Sequence, residues 1–249
     1  MKILILKYSE EVSLWEMVSR ELLERIKDYL SEMFKDKITR PDLAYEIVDR
    51  PVPYLRGVEW HVNTDLDEGI GVHGLSDGRI EVSSHALGEH YGEALEIVTA
   101  DLYRRRLEKA KSEEEKERIR KEREREIEEV LDDLINKRWE KYLKDERLRR
   151  RYGTFIDLYW GEEVARRIRE KYGMDIEFIV GPVGRTCYTS VFDPKGMSED
   201  QIFEEIVKRV KMVYDAYNSW YDLGERKKFE EEFKEKWGLR KKRRRRKKS

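Results

Sequence analysis

Cysteine is nearly absent from this chain: Cys187 is the only one in 249 residues. A disulfide and a thiolate zinc knuckle both need a second sulfur, so neither can form within the chain. Long apolar runs are missing too. No stretch of 18 apolar residues exists, so the sequence predicts no membrane span. The apolar residues 3–6 are too short for a signal-peptide core, and charged residues follow at once, which points to the cytoplasm. Also lacking is an excess of one charge. Lys and Arg number 53 against 54 Asp and Glu, for a net charge of −1.

That balance conceals an asymmetry. Arg240, Lys241, Lys242, Arg243, Arg244, Arg245, Arg246, Lys247 and Lys248 are nine consecutive basic residues. Without those nine positive charges the net charge of −1 becomes −10. An acidic body argues against wrapping nucleic acid over the whole surface, so phosphate binding belongs to the basic run or to a local patch. Consecutive like charges do not fold alone and are expected to be disordered. They neutralise phosphates and release counterions. The run has no aromatic residue to stack on bases, so base specificity is not expected from it. A solvated run that aids solubility, or one folded back on the acidic body, is the plainer alternative.

Charged residues make up 43% of the chain, far above the ~25% of an ordinary soluble protein. Such a composition suits a thermophilic surface laced with ion pairs, and also a coiled coil. Apolar residues at 39% are enough for a core.

Periodicity outlines the fold. A strand is expected at 3–6 and a helix at about 10–34, where Val12, Trp15, Val18, Leu22, Ile26, Tyr29, Leu30 and Met33 recur every three or four positions, with Ser9 as cap. A further strand is expected at 45–48. Alternation at 57–63, 70–73 and 79–83, with a tight turn at Ser76-Asp77-Gly78, predicts an antiparallel meander. Its apolar face carries Val58, Trp60, Val62, Ile70, Val72, Ile80 and Val82. Its other face carries Glu59, His61, Asn63, His73 and Glu81, and is expected to meet water or a ligand.

A helix is expected to begin near His85, capped by Ser83 or Ser84, with a stripe of Leu87, Ala94, Leu95, Val98 and Leu102. Residues 104–126 are almost purely charged. An apolar stripe then returns through Val130, Leu134, Trp139 and Leu143. The stretch reads either as a hairpin of two helices or as one rod; a rod over 92–144 would be roughly 80 Å long. Beyond Gly153 come a short helix to 172, strands at 176–180 and 187–192 joined by Gly181-Pro182-Val183-Gly184, and a helix over 198–220 started by a Ser198/Gln201 capping box. A last helix over 225–237 stops at Gly238.

The fold class expected is α+β: a mixed or antiparallel sheet with an N-terminal helix, a long charged helical segment and a C-terminal hairpin-plus-helix unit. The expected divisions are an α+β unit at 1–103, a charged helical excursion at 104–150, a second α+β unit at 151–238 and the basic tail at 239–249.

All four histidines, His61, His73, His85 and His90, fall within thirty residues. With Glu59, Glu81, Glu89 or Glu93 they are candidate zinc ligands, although His85 and His90 are five apart and do not share a helix face. No cofactor is otherwise called for. Arg104-Arg105-Arg106 and Arg147, Arg149, Arg150 and Arg151 are two further basic clusters, which a hairpin would bring together. The turn at 181–184 lacks the Lys-Ser/Thr of a P-loop.

The order strand, long helix, meander, edge strand, helix resembles the scaffold of small zincin-type metallopeptidases. Gly78-Arg79-Ile80-Glu81-Val82-Ser83 is similar to that family's edge strand, and Ala94-Leu95-Glu96-Ile97-Val98 to the helix leading into its HExxH motif. This chain offers Ala100 and Asp101 in place of the first His and the Glu, and Arg104 in place of the second His. The resemblance therefore implies a scaffold without its zinc-bound water or its peptidase chemistry.

Three function classes follow. The first is a non-enzymatic accessory protein that binds DNA or RNA through the basic run. The second is a metal-dependent hydrolase, a nuclease or an altered peptidase, at the histidine-rich meander. The third is a helical module at 104–150 that binds a protein partner.

Overall fold

The computed structural model describes residues 18–35, 45–48, 58–63, 69–85, 91–153, 155–180 and 186–239. The strand at 3–6, the helix start with its Ser9 cap, the loop at 181–184, His90 and the basic run from Arg240 lie outside the described residues. The chain is α+β, in the order α1 (Arg20–Phe34), β1 (Glu46–Val48), β2 (Val58–Asn63), β3 (Gly69–Leu75), β4 (Ile80–His85), α2 (Tyr91–Lys109), α3 (Glu113–Ile135), α4 (Glu140–Lys144), α5 (Glu146–Tyr152), α6 (Ile156–Tyr172), β5 (Glu177–Val180), β6 (Thr186–Phe192), α7 (Glu199–Trp220) and α8 (Leu223–Lys236). By contacts it divides into two units, 1–83 with 190–213 and 84–189 with 214–249. β4, β6 and α7 therefore contribute residues to both.

In the first unit the strands run β1-β2-β3-β4-β6. β1 and β2 are antiparallel, with Val48 opposite His61, and β2 and β3 are antiparallel, with His61 opposite His73 and Val62 opposite Val72. The register shifts between Val58 and Trp60, so Glu59 is an extra residue in β2. α1 packs on β1 and β2 through its apolar stripe, in which Leu22, Ile26 and Leu30 are fully buried. Each such side chain contributes roughly 1.5–3 kcal/mol as an upper bound.

The expected helix over 10–34 is not continuous. Ser19 is extended, and its hydroxyl accepts from the Leu22 amide at 3.1 Å, so Ser19 rather than Ser9 caps α1. Helical spacing cannot register such a cap, because a serine on a stripe and a serine at a cap look alike in a sequence. α7 ties to α1 where Arg25 pairs with Asp200 at 2.9 Å and Tyr29 meets Phe203 edge-on. The Ser198/Gln201 capping box forms in both directions: the Ser198 amide donates to Gln201 at 2.8 Å, and the Gln201 amide donates to Ser198 at 3.3 Å.

In the second unit the strand order is β4-β6-β5, with β5 antiparallel to β6. Its core is aromatic. Phe178 stacks on Trp220, the Trp160 indole donates to the Trp220 carbonyl at 3.0 Å, and the Tyr188 hydroxyl donates to the Gly161 carbonyl at 3.2 Å. The charged stretch is a hairpin, not a rod. Residues 110–112 reverse the chain, and the Ser112 hydroxyl caps α3 by accepting from the Glu115 amide. The hairpin gives the sparse stripe of Ile119, Val130 and Leu134 a surface to bury against, which a free rod would lack.

A correction concerns the segment after the meander. Residues 80–85 are strand, so His85 belongs to β4 and does not start a helix, and α2 is described from Tyr91. Ser84 does not cap a helix; its hydroxyl accepts from the Tyr188 amide at 2.9 Å within the sheet. Sheet pairing from a strand a hundred residues away outweighs the local helix-start signal. Leu102, expected in the α2 stripe, is 45% exposed.

Candidate polyanion-binding surface

The basic run begins one residue beyond a helix end whose geometry is fixed. Gly238 takes φ +63°, the left-handed conformation that glycine adopts without strain. The Leu239 amide donates to the Lys234 carbonyl at 2.8 Å, and the Gly238 amide to the Glu235 carbonyl at 3.2 Å. These two bonds form a Schellman motif, which closes α8 and sets the direction in which the chain leaves it. A Cβ on Gly153 would stand 3.3 Å from the Leu239 side chain and 2.6 Å from the Arg149 carbonyl, so Leu239 seats against the end of α5 where only glycine leaves room. Arg149 adds a second tie by donating to the Trp237 carbonyl at 3.2 Å. That contact places a positive charge at a helix C-terminus, where the dipole favours it.

α5 is itself basic. Asp145 caps it by accepting from the amides of Arg147 and Leu148 at 2.8 and 3.1 Å. Arg147 is exposed, and its guanidinium makes no ion pair among the described residues. Arg150 pairs with Glu146 at 2.5 Å, with side chains 78% and 65% exposed, so that pair is screened and easily exchanged. Arg151 turns inward to Glu126 at 2.6 Å. The hairpin also brings the Arg104–Arg106 cluster close: Arg106 pairs with Glu122, one turn before Glu126 on α3. One arginine of each cluster, Arg106 and Arg151, thus pairs with a carboxylate of the same helix, α3.

Two α3 acids, Glu126 half-buried and Asp133 buried, are the polar feature that the sequence did not reveal. Glu126 accepts from the hydroxyls of Tyr103 and Tyr152 and from Arg151. Two turns on, Asp133 accepts from the Tyr142 hydroxyl at 2.6 Å and from Arg138 at 2.9 Å, and also pairs with Lys141. Burial pushes both carboxyls up, but the donors around them outweigh it and hold both below the ordinary carboxylate range. Burial, together with the hydrogen bond to Asp133, pushes Tyr142 far up, and burial with the bond to Glu126 does the same for Tyr152. A groove of about 620 Å³ passes over this network, lined in part by Glu126, Asp133, Arg138, Lys141, Tyr142 and Tyr152. One signal was legible: Ile119, Glu126 and Asp133 stand seven apart, so the two acids repeat a buried stripe position.

The histidines are placed differently from expectation. His61 and His73 are paired across β2 and β3 with ring centroids 6.1 Å apart, but they are 8% and 1% exposed. At these two positions the second face of the sheet is covered, not open to water. His73 Nε2 lies 3.1 Å from the Ser83 hydroxyl, itself buried, which gives the imidazole a partner away from water. Period-two alternation identifies two faces but not whether the second is also covered. His85 lies in β4, and the side chains of His85 and His90 fall outside the description. Among the described residues, no three His, Cys, Asp or Glu side chains are grouped to hold a metal. Cys187 is half-buried on β6. Of the residues that carry the zincin resemblance, Gly78 and Arg79 precede β4, 80–83 lie in β4 and 94–98 in α2, with Ala100 and Arg104 exposed on α2. No described helix is long and apolar enough to cross a membrane.

No protein-family model matches the chain, and no curated protein or solved structure does either.

Proposed function

We propose that this protein is a non-enzymatic, nucleic-acid-associated accessory protein that holds phosphate polymers through an arm made of Arg240, Lys241, Lys242, Arg243, Arg244, Arg245, Arg246, Lys247 and Lys248. The observation that carries the reading is the placing of nine adjacent cations directly after a locked helix end, on a chain whose remainder has net charge −10. Such an arm gains affinity by displacing the counterions condensed on a nucleic acid. Lacking aromatic and amide side chains, it reads phosphate and not base edges, so DNA and RNA are both ligands by this chemistry.

The test is titration of a labelled duplex and the matching single strand by fluorescence anisotropy, with the full chain and with residues 240–249 deleted. The full chain is expected to lose affinity steeply with salt, on the order of a thousandfold between 50 and 200 mM if six or more phosphates are engaged. The deletion is expected to remove most of the affinity and to leave the melting temperature of the body unchanged. Equal affinity with and without the arm would sink the proposal.

A further inference from the structure

The arm does not leave the body at an arbitrary point. Leu239 is held at Gly153, and the Trp237 carbonyl at Arg149, both at the C-terminal end of α5. On a helix each residue turns by about 100°, which puts Gly153 between Arg149 and Arg150 around the α5 axis. Arg150 is therefore the exposed guanidinium adjacent to the origin of the arm, and Arg147 lies one turn further along the same face. Their neighbours differ in kind: Arg149 is committed to the α8 carbonyl and Arg151 to Glu126. Arg147 makes no ion pair among the described residues, and Arg150 has only the exposed Glu146.

Resting on the reading of the arm as a polyanion binder, we propose that Arg147 and Arg150 are the fixed half of the same site, on which a continuous phosphodiester chain is seated while the arm neutralises the phosphates that follow. Two guanidiniums one turn apart are about 5 Å apart along the axis. That matches the spacing of neighbouring phosphates, which for single strands is near the chain repeat and for a duplex strand is of the order of 3–7 Å. Nine residues of arm reach at most about 30 Å from Leu239. The ligand class is therefore a polymer of phosphates longer than either half alone spans. A mononucleotide or a free phosphate occupies only one half and gains nothing from the juxtaposition. The fixed half also has a consequence for geometry. Guanidiniums on a helix hold a phosphate bidentately and orient the strand.

The experiment compares five full-length or truncated proteins on the same duplex and single strand across a salt series: wild type, R147Q/R150Q, R147K/R150K, the 240–249 deletion, and K109Q/K111Q. The last removes the same charge at the tip of the α2–α3 hairpin, roughly 20 Å along α3 from Glu126. R147Q/R150Q is expected to lower the log–log salt slope by about two and to weaken binding several-fold at low salt, equally for both probes. K109Q/K111Q is expected to leave the slope unchanged, and R147K/R150K to restore most of the loss. Melting temperatures of the substituted variants are expected to match wild type, because Lys109, Lys111, Arg147 and Arg150 are all exposed. An unchanged slope in R147Q/R150Q, with the deletion still defective, would overturn the fixed half and leave the arm in place. An equal loss in K109Q/K111Q would overturn it too, since the effect would then be net charge and not position. If the deletion binds as wild type does, the arm reading fails instead.

Discussion

Gly161 shows how much one missing methyl group decides. It lies inside α6, where alanine would ordinarily be preferred by up to ~1 kcal/mol. A Cβ there would stand 2.4 Å from the Phe178 ring, which is itself stacked on Trp220 and fully buried. Overpacking a core costs about 1–3 kcal/mol and exceeds the helix gain. Gly161→Ala is therefore expected to destabilise the protein by ~1–2 kcal/mol in chemical denaturation, and a stabilised variant would show that the ring moves aside freely. Asp133 makes a second residue-level case. Its carboxyl is held below its ordinary value of 3.8 by Lys141, Tyr142 and Arg138 against the opposing effect of burial. The unfolded chain therefore takes up this proton at higher pH than the folded one. The stabilisation is fully present above the unfolded value and fades as pH falls through the lower folded one. Asp133→Asn is expected to cost on the order of 2 kcal/mol at neutral pH, with the gap from wild type narrowing below about pH 4. A gap that stays constant from pH 7 to pH 3 would show that the charge of Asp133 contributes nothing.

At the level of elements, helix ends carry much of the specification. The capping box at Ser198 and Gln201 was readable from spacing alone, because both residues act within four positions of each other and need no tertiary partner. Ser198→Ala is expected to lower stability by about 1 kcal/mol, measured as a shifted denaturation midpoint with an unchanged slope. Gly238 was legible for the same reason, since a left-handed residue after an amphipathic stretch has few alternatives to glycine. The caps that were misread are instructive. Ser84 faces the sheet because β6 offers it the Tyr188 amide, and nothing near Ser84 in the chain announces that β6 comes to lie beside it. Ser19 caps α1 in the middle of what reads as an unbroken stripe.

For the whole molecule, charge placement governs behaviour more than charge total. A chain of net charge −1 divides into an acidic body and a run of nine cations. Within the second unit, α3 supplies carboxylates to Arg106, Arg151, Arg138 and Lys141, so those four cations are neutralised in place. Arg147 and Arg150 stay available because both are exposed on α5, turned away from its buried Tyr152. The truncated body is accordingly expected to be the weaker polyanion binder at every salt concentration, and its residual affinity the more sensitive to R147Q/R150Q.

The sequence by itself determined the α+β class, the meander, the β5–β6 pair, the α7 and α8 boundaries and the basic run. Each of these rests on interactions among residues close in the chain, or on periodicities that one segment contains whole. Tertiary structure alone decided that the charged stretch folds as a hairpin, that the imidazoles of His61 and His73 are buried, that Glu126 and Asp133 gather tyrosines and cations, and that Leu239 seats at Gly153. Each of these depends on which distant segment covers a given face, and a pattern of apolar and polar residues records that a face exists but not what comes to lie against it.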